Sequence, residues 1–483
     1  MRKNLLLLVA AVTTSLVTAA CAAGNHGGAA AQSNPTVAQS SSAAAATSAA
    51  TGAAASAGAS SASNASNASC SGVQLQSTDI GVTPTTITIE IMADIGASAI
   101  PGMADGSVSA IQAWAKLLNS QGGLACRQVK VRVFDSKIDP TQSSAGYLDG
   151  CQNAFAMVGT YALAVSDVTT LDNCKNKAGQ PVGLPETPGV ALNPLQACNK
   201  TDFLYGNTGS PCPAGSGTQT YTESSVWNEY FKQALGTGTA HGTYYVALTP
   251  PVIEDSAVPM YLYMQHQGLK ADQMVGLPAT ATEANFTPII SKMASSKSQF
   301  YFSDSVFTTF LEAKAEAAAQ GVSPKVLWVC QTTCYDPAFV KAGGGAAVGT
   351  KVAIDTLPFS DANVNAEMKA FVTSIKTPDS FGLESWIAAR LFQQGVQSLV
   401  AAKGPNALTR ANILTALSQV KNFTDGGIIG PVTPSQHTPS NCLMVLNTNA
   451  DGTFTRVWPA KAGTLACGST GTITVNPQTA FQG

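Results

Sequence analysis

From Thr86 onward the hydrophobic period switches repeatedly between two and about 3.6 residues, and this alternation constrains the fold more than any other feature of the chain. The run Thr86-Ile-Thr-Ile-Glu-Ile-Met92 alternates as a strand does. Ser107 to Leu118 then places Ile111, Trp114, Ala115 and Leu118 on one helical side, and Gly122-Gly123 stops it. A second strand, Gln128 to Phe134, leads to a helix from Asp139-Pro140 to about Cys151. Asp139 caps free N–H groups there, and proline's missing N–H costs nothing at a first helical position. Ala154 to Val158 reads as a third, buried strand. Strands separated by helices require crossover connections, so the chain is predicted to be α/β with parallel sheets.

The alternation does not reach the N-terminus. Arg2 and Lys3, an apolar run from Leu5 to Val17, and the small residues Ala19 and Ala20 make residues 1–20 a signal peptide. That run is too short for a permanent span. Small residues ending at Cys21 resemble a bacterial lipobox, which implies lipidation of that cysteine after cleavage. Thr18 stands where most lipoboxes carry Leu, so ordinary cleavage around Ala20-Cys21-Ala22 is the alternative. Residues 21–69 are dominated by Ala, Ser, Gly, Asn and Thr, cannot bury enough apolar surface to offset chain entropy, and are predicted to form a flexible tether.

The remaining 70–483 are long enough for two domains. A net charge of −2 with 11% charged residues excludes a basic face for nucleic acid and predicts a cleft of low charge. Of 11 cysteines, setting Cys21 aside leaves ten, an even number suited to disulfides in an exported chain. A metal reading fails, because Cys330-x-x-x-Cys334 has no second close pair. Proximity suggests Cys198–Cys212, Cys330–Cys334 and Cys442–Cys467. Cys70 and Cys126 would meet if the first two strands are parallel neighbours, leaving Cys151–Cys174. The four histidines (His26, His241, His266 and His437) form no HExxH pair, and neither a Gly-x-Ser-x-Gly elbow nor a phosphate loop occurs. Gly236-Thr-Gly238 ends a helix and reads as a cap.

The series Leu118-Asn-Ser-Gln-Gly-Gly-Leu124, Val129-Lys-Val-Arg-Val-Phe-Asp135, Asp139-Pro140 and Met157-Val-Gly-Thr160 resembles the opening lobe of type I periplasmic binding proteins, in the branched-chain amino acid (Leu/Ile/Val) receptor group of ABC transporter substrate-binding lipoproteins. Further elements follow the same order. They are a proline-marked strand near Gln180-Pro181-Val182, a crossover near Phe203 to Thr208, and a helix from Thr220 to Leu235. Strands at Gly242 to Thr249, Gln299 to Ser303 and Lys325 to Cys330 alternate with helices at Val258 to Gly268 and Val306 to Gly321. A return through Val352 to Phe359 reaches a helix from Leu383 to Val400.

The resemblance implies two Rossmann-like lobes joined by a multi-crossover hinge near Gly206 to Gly217 and Leu357 to Ser360. Lobe one would comprise 70–215 and 357–430, and lobe two 216–356 and 431–483. A small ligand would bind where strand ends of both lobes face each other, as open parallel sheets also require. The resemblance places candidate ligand contacts at Thr160 and Tyr161, at Thr187, beside which Glu186 is an addition, and at Asp304 and Gln331; Gln331 is neutral where the family carries a carboxylate, so the ligand differs or Glu186, Asp304 or Asp94 supplies the negative charge. Asp94, Asp135 and Asp304 serve equally well as caps of the next helix, and Thr160 and Thr187 as loop-backbone partners. The expected function is capture of a small polar or amphipathic solute, an amino acid, amide or similar, for an ABC permease by a monomer held outside the cell membrane through its lipid anchor. A sensor or scaffold role and, less readily, a cell-envelope hydrolase are the alternatives. No cofactor and no metal are expected.

Overall fold

The computed structural model describes residues 72–97, 102–192, 194–206, 217–248, 252–438 and 440–476. The leader, Cys21, the tether, Cys70, Cys212 and most of the expected hinge segment 206–217 lie outside them.

Lobe one is built on four parallel strands: β1 (Thr86–Ala93), β2 (Gln128–Asp135), β3 (Ala156–Val158) and β4 (Glu186–Thr187), in the order β2-β1-β3-β4. The Gln180–Val182 stretch forms no strand. Pro181 makes one isolated bridge with Lys175, while Glu186 and Thr187 carry the ladder, because Pro181 has no N–H to donate. Helices α1 (Asp105–Ser120) and α2 (Pro140–Asn153) link the first three strands. The Asp139 carboxylate accepts from Gln142 N at 2.9 Å to start α2. Short helices α3 (Thr169–Asn173) and α4 (Pro194–Ala197) follow.

Lobe two repeats the winding. Five parallel strands, β6 (His241–Ala247), β7 (Lys270–Leu277), β8 (Phe300–Asp304), β9 (Leu327–Cys330) and β10 (Lys351–Ile354), are ordered β7-β6-β8-β9-β10. Helices α5 (Val226–Leu235), α6 (Val252–His266), α7 (Glu283–Ser296), α8 (Phe307–Ala319) and α9 (Pro337–Gly343) alternate with them. The chain then returns to lobe one as α10 (Ala366–Ser374), α11 (Ser380–Lys403) and α12 (Arg410–Ser418). It ends in lobe two, where β11 (Cys442–Thr448) and β12 (Phe454–Trp458) extend the sheet antiparallel to β10, and β13 (Ala466–Cys467) pairs with β11.

One predicted helix is overturned. Gln219–Ser224 is a strand, β5, paired antiparallel with β14 (Thr470–Val475), and the helix begins only at Val226. The segment Gln-Thr-Tyr-Thr-Glu-Ser is β-prone, and burial of Tyr221 against Ile473 favours the ribbon over helix propensity.

Each sheet is covered on both faces. In lobe one Ile87, Ile89 and Ile91 pack with α1 and the long α11 around Trp114, Trp386 and Phe392, while Met92, Tyr147, Met157 and Leu184 fill the other face. Trp114 Nε1 donates to Gln393 Oε1 at 3.0 Å, which satisfies that indole inside the core. In lobe two, Tyr244, Phe300 and Phe302 lie on one face, and Tyr245, Tyr301 and Trp328 on the other. The sulfurs of Cys151–Cys174, Cys330–Cys334 and Cys442–Cys467 stand at bonding distance.

Candidate ligand cleft

Both sheets reverse strand order at the same place, between β1 and β3 in lobe one and between β6 and β8 in lobe two. A doubly wound sheet leaves a crevice at such a switch point, outside the carboxyl ends of its strands. A cavity of about 900 Å³ lies there, lined from both lobes. Lobe one contributes Tyr161 and Leu163 after β3, Pro188 to Leu192 after β4, the start of α1 and the start of α11. Lobe two contributes Asp304 to Thr308 after β8, Gln331 to Thr333 after β9, Asp355 after β10, and Trp227 of α5.

Of the predicted contacts, Tyr161, Asp304 and Gln331 line this cavity; Asp94, Thr160, Glu186 and Thr187 do not. Asp94 is wholly buried and organises loops: its carboxylate accepts from Ser136 Oγ at 2.6 Å, Ile138 N at 2.6 Å and Leu163 N at 2.8 Å. Thr160 and Thr187 are buried behind the wall, and the Thr160 carbonyl accepts from Gly189 N at 2.9 Å. The Glu186 backbone forms an isolated bridge with Asp202 in the same interior, and burial raises the pKa of both carboxyls.

The cleft is not weakly charged. Six carboxylates line it, Asp105, Asp379 and Glu384 from lobe one and Asp304, Asp336 and Asp355 from lobe two, and the described lining contains no Lys, Arg or His. A low global charge content averages over the surface and says nothing of local clustering. Asp379 caps α11 by accepting from Gly382 N at 2.7 Å, and Asp336 caps α9 by accepting from Ala338 N at 2.6 Å. Glu384 accepts from the Tyr161 hydroxyl at 3.0 Å. Burial pushes the carboxyls up, Asp304 to about 7 and Asp355 and Asp379 to about 6. Burial, and then Asp355, holds the Glu384 carboxyl well above the usual carboxylate range. Asp336 and Asp105 add to the rise at Asp379. Each lobe therefore presents carboxyl groups to the other, held partly protonated by burial.

Sequence reading missed Glu384, Asp355 and Asp379. Asp355 had the strand-end signal that singled out Asp304, whereas Glu384 lies on a helix that joins lobe one only through the return crossover. Aromatic walls come from Tyr161, Tyr205, Trp227, Phe307 and Phe381, with the Tyr161 and Phe381 rings 4.9 Å apart. Ser380 Oγ of lobe one donates to the Thr332 carbonyl of lobe two at 3.2 Å, a direct polar link between the jaws. Among the described residues no group of three or more His, Cys, Asp or Glu is placed to hold a metal ion.

Two doubly wound lobes whose strand ends face a shared cavity define a clamshell binding protein. The chain belongs to the periplasmic binding protein family, whose model matches residues 91–453. Solved structures share the fold at low identity. A fatty acid ABC transporter substrate-binding protein from Thermomonospora curvata is 17% identical with a TM-score of 0.60, covering 82% of this chain and 99% of that one. A leucine-binding protein from Thermotoga maritima is 12% identical with a TM-score of 0.58, over 82% and 99%. A solute-binding protein of an R. palustris ABC transporter in complex with benzoate is 14% identical with a TM-score of 0.59, over 79% and 97%. No curated protein matches the chain.

Proposed function

We propose that this chain is an extracytoplasmic solute receptor that closes its two lobes over a small molecule and delivers it to an ABC importer. The observation that carries the reading is the cavity of about 900 Å³ at the facing strand ends, to which both lobes contribute walls. A ligand touching both lobes at once binds the closed arrangement better than the open one and shifts the population toward it. A permease then distinguishes loaded from empty receptor by shape. Ligands named for the neighbours, a fatty acid, leucine and benzoate, differ widely in chemistry, so on this fold the lining and not the architecture sets specificity.

The leader pattern supports export and anchoring through Cys21, with the segment 21–69 as tether, and the expected cysteine pairs are disulfides in the oxidised protein. Mass spectrometry of the mature N-terminus tests the anchor: a diacylglyceryl adduct on Cys21 is expected. Thermal unfolding against a panel of amines, amino acids, organic acids, sugars and amides tests the receptor role. A true ligand at ~1,000 times its dissociation constant adds about 4 kcal/mol. A panel without any shift, on folded protein free of co-purified solute, overturns the reading.

A further inference from the structure

The cavity is a built binding site by its position, and its lining restricts what enters. Six carboxyl-bearing residues line a space walled by aromatic rings, and no basic side chain lines it among the described residues. The internal residues outside the description, 98–101, 193, 207–216, 249–251 and 439, include no Lys, Arg or His in sequence, so none of them supplies a cation either. The six ion pairs of the described residues all lie elsewhere. Asp355 is held by its own backbone N–H, is met by no described basic side chain, and is desolvated by the walls. A desolvated carboxylate without a countercharge is costly unless something neutralises it.

We propose that the cleft accepts an organic cation, an ammonium-bearing solute with an apolar body, held between the opposed carboxylates of the two lobes and the aromatic rings beside them. This specificity rests on the solute-receptor reading. Glu384 faces Asp355 across the lobes, and Asp379 faces Asp336, so closing the empty receptor costs either like-charge repulsion or the uptake of protons. An ammonium between them turns repulsion into two attractions and couples binding to closure. Charge-assisted hydrogen bonds and cation–π contacts with Tyr161, Trp227 or Phe381 hold such a group better than water does once the jaws exclude solvent. A free carboxylate on the ligand meets the same field with the wrong sign. A metal ion is disfavoured because the acids are spread around the walls and do not converge. The carboxyls held partly protonated in the empty cleft give up protons when a cation enters.

Two isosteric series test this on the full chain purified with its leader processed. One is phenethylammonium, phenylalanine and 3-phenylpropionate; the other is isopentylammonium, leucine and 4-methylpentanoate. The members of each series share a body and differ in charge. Thermal shift and calorimetry are expected to detect the cation of at least one series, with the matching zwitterion and anion at least tenfold weaker. Binding of the cation is expected to release protons, seen as a buffer-dependent enthalpy. Asp355→Asn and Glu384→Gln are expected each to weaken the cation tenfold or more while leaving the unliganded midpoint unchanged or raised, the opposite of a merely structural role. A zwitterion or anion binding as well as its cation overturns the inference and leaves the receptor reading standing. Cation affinity unchanged in both variants also overturns it. Silence of both series and of the wider panel overturns inference and receptor reading together.

Discussion

The Tyr161 hydroxyl donates to Glu384 at 3.0 Å, joining the loop after β3 to the second turn of α11 across 223 positions of sequence. The bond pins a cleft acid and a cleft ring in one orientation, so the wall does not have to be assembled when ligand arrives. Tyr161→Phe removes the donor without changing the ring. A loss of about 1–2 kcal/mol in a urea titration is expected, together with weaker ligand binding. An unchanged midpoint shows that the hydroxyl adds nothing to the fold.

The raised carboxyls make stability depend on pH in a defined direction. Asp304 at about 7, Asp355 and Asp379 at about 6, and Asp425 at about 7 hold protons in the folded chain over a range where the unfolded chain has released them. The folded state therefore binds more protons than the unfolded state between about pH 4 and 7, and stability falls as pH rises through that window. The groups facing these acids are Gln331 and Tyr261 for Asp304, Glu384 and Tyr205 for Asp355, Asp336, Asp105 and Glu384 for Asp379, and Arg390 and Glu367 for Asp425. Of these Arg390 alone is basic, and it opposes the trend at Asp425. Melting of the empty protein is expected at a higher midpoint at pH 5 than at pH 8. A midpoint that climbs toward pH 8 contradicts the buried charge of the cleft.

Arg410 begins α12 with its side chain wholly buried, donating to the carbonyls of Lys175 at 2.7 Å, Cys151 at 2.8 Å and Ala154 at 2.5 Å. Burial lowers its pKa to about 10, which leaves it charged at neutral pH. Arg410→Leu keeps volume but abandons three carbonyls in the interior. A destabilisation of about 3 kcal/mol or more is expected by chemical denaturation, with the cleft untouched and ligand affinity of the folded fraction preserved.

Cys151 and Cys174, which meet beside that guanidinium, are 23 residues apart. Replacing both with Ser frees the unfolded chain of a closed loop and is expected to cost about 3 kcal/mol. Urea titrations of wild type and double variant under oxidising conditions measure it; equal midpoints in wild type with and without reductant contradict it.

How far the fold was legible depended on how local each element's causes are. Thr86–Ala93 and Pro140–Asn153 carry their own alternation and cap, and they appear within two residues of the expected bounds. Gln219–Ser224 does not, because its partner strand is Thr470–Val475, far along the chain, and nothing within the segment announces that pairing. Lys270–Leu277 was missed for a related reason: it is a half-exposed edge strand without clean alternation. The cleft was legible only where strand ends mark it, as at Tyr161, Asp304 and Gln331. Glu384 depends on how α11 crosses back over lobe one, a property of the whole topology.

The return of the chain to lobe two for β11 to β14 has a consequence for biogenesis. Polypeptides emerge amino end first, and domains ordinarily fold as units while later ones are still being made. Here β10 waits with an open edge until Cys442–Thr448 is available, and Gln219–Ser224 waits for Thr470–Val475. Lobe one likewise lacks half of its main core until α11 arrives. A nascent chain so wired cannot seal either jaw early, and it stays threadable until its final strands have been delivered.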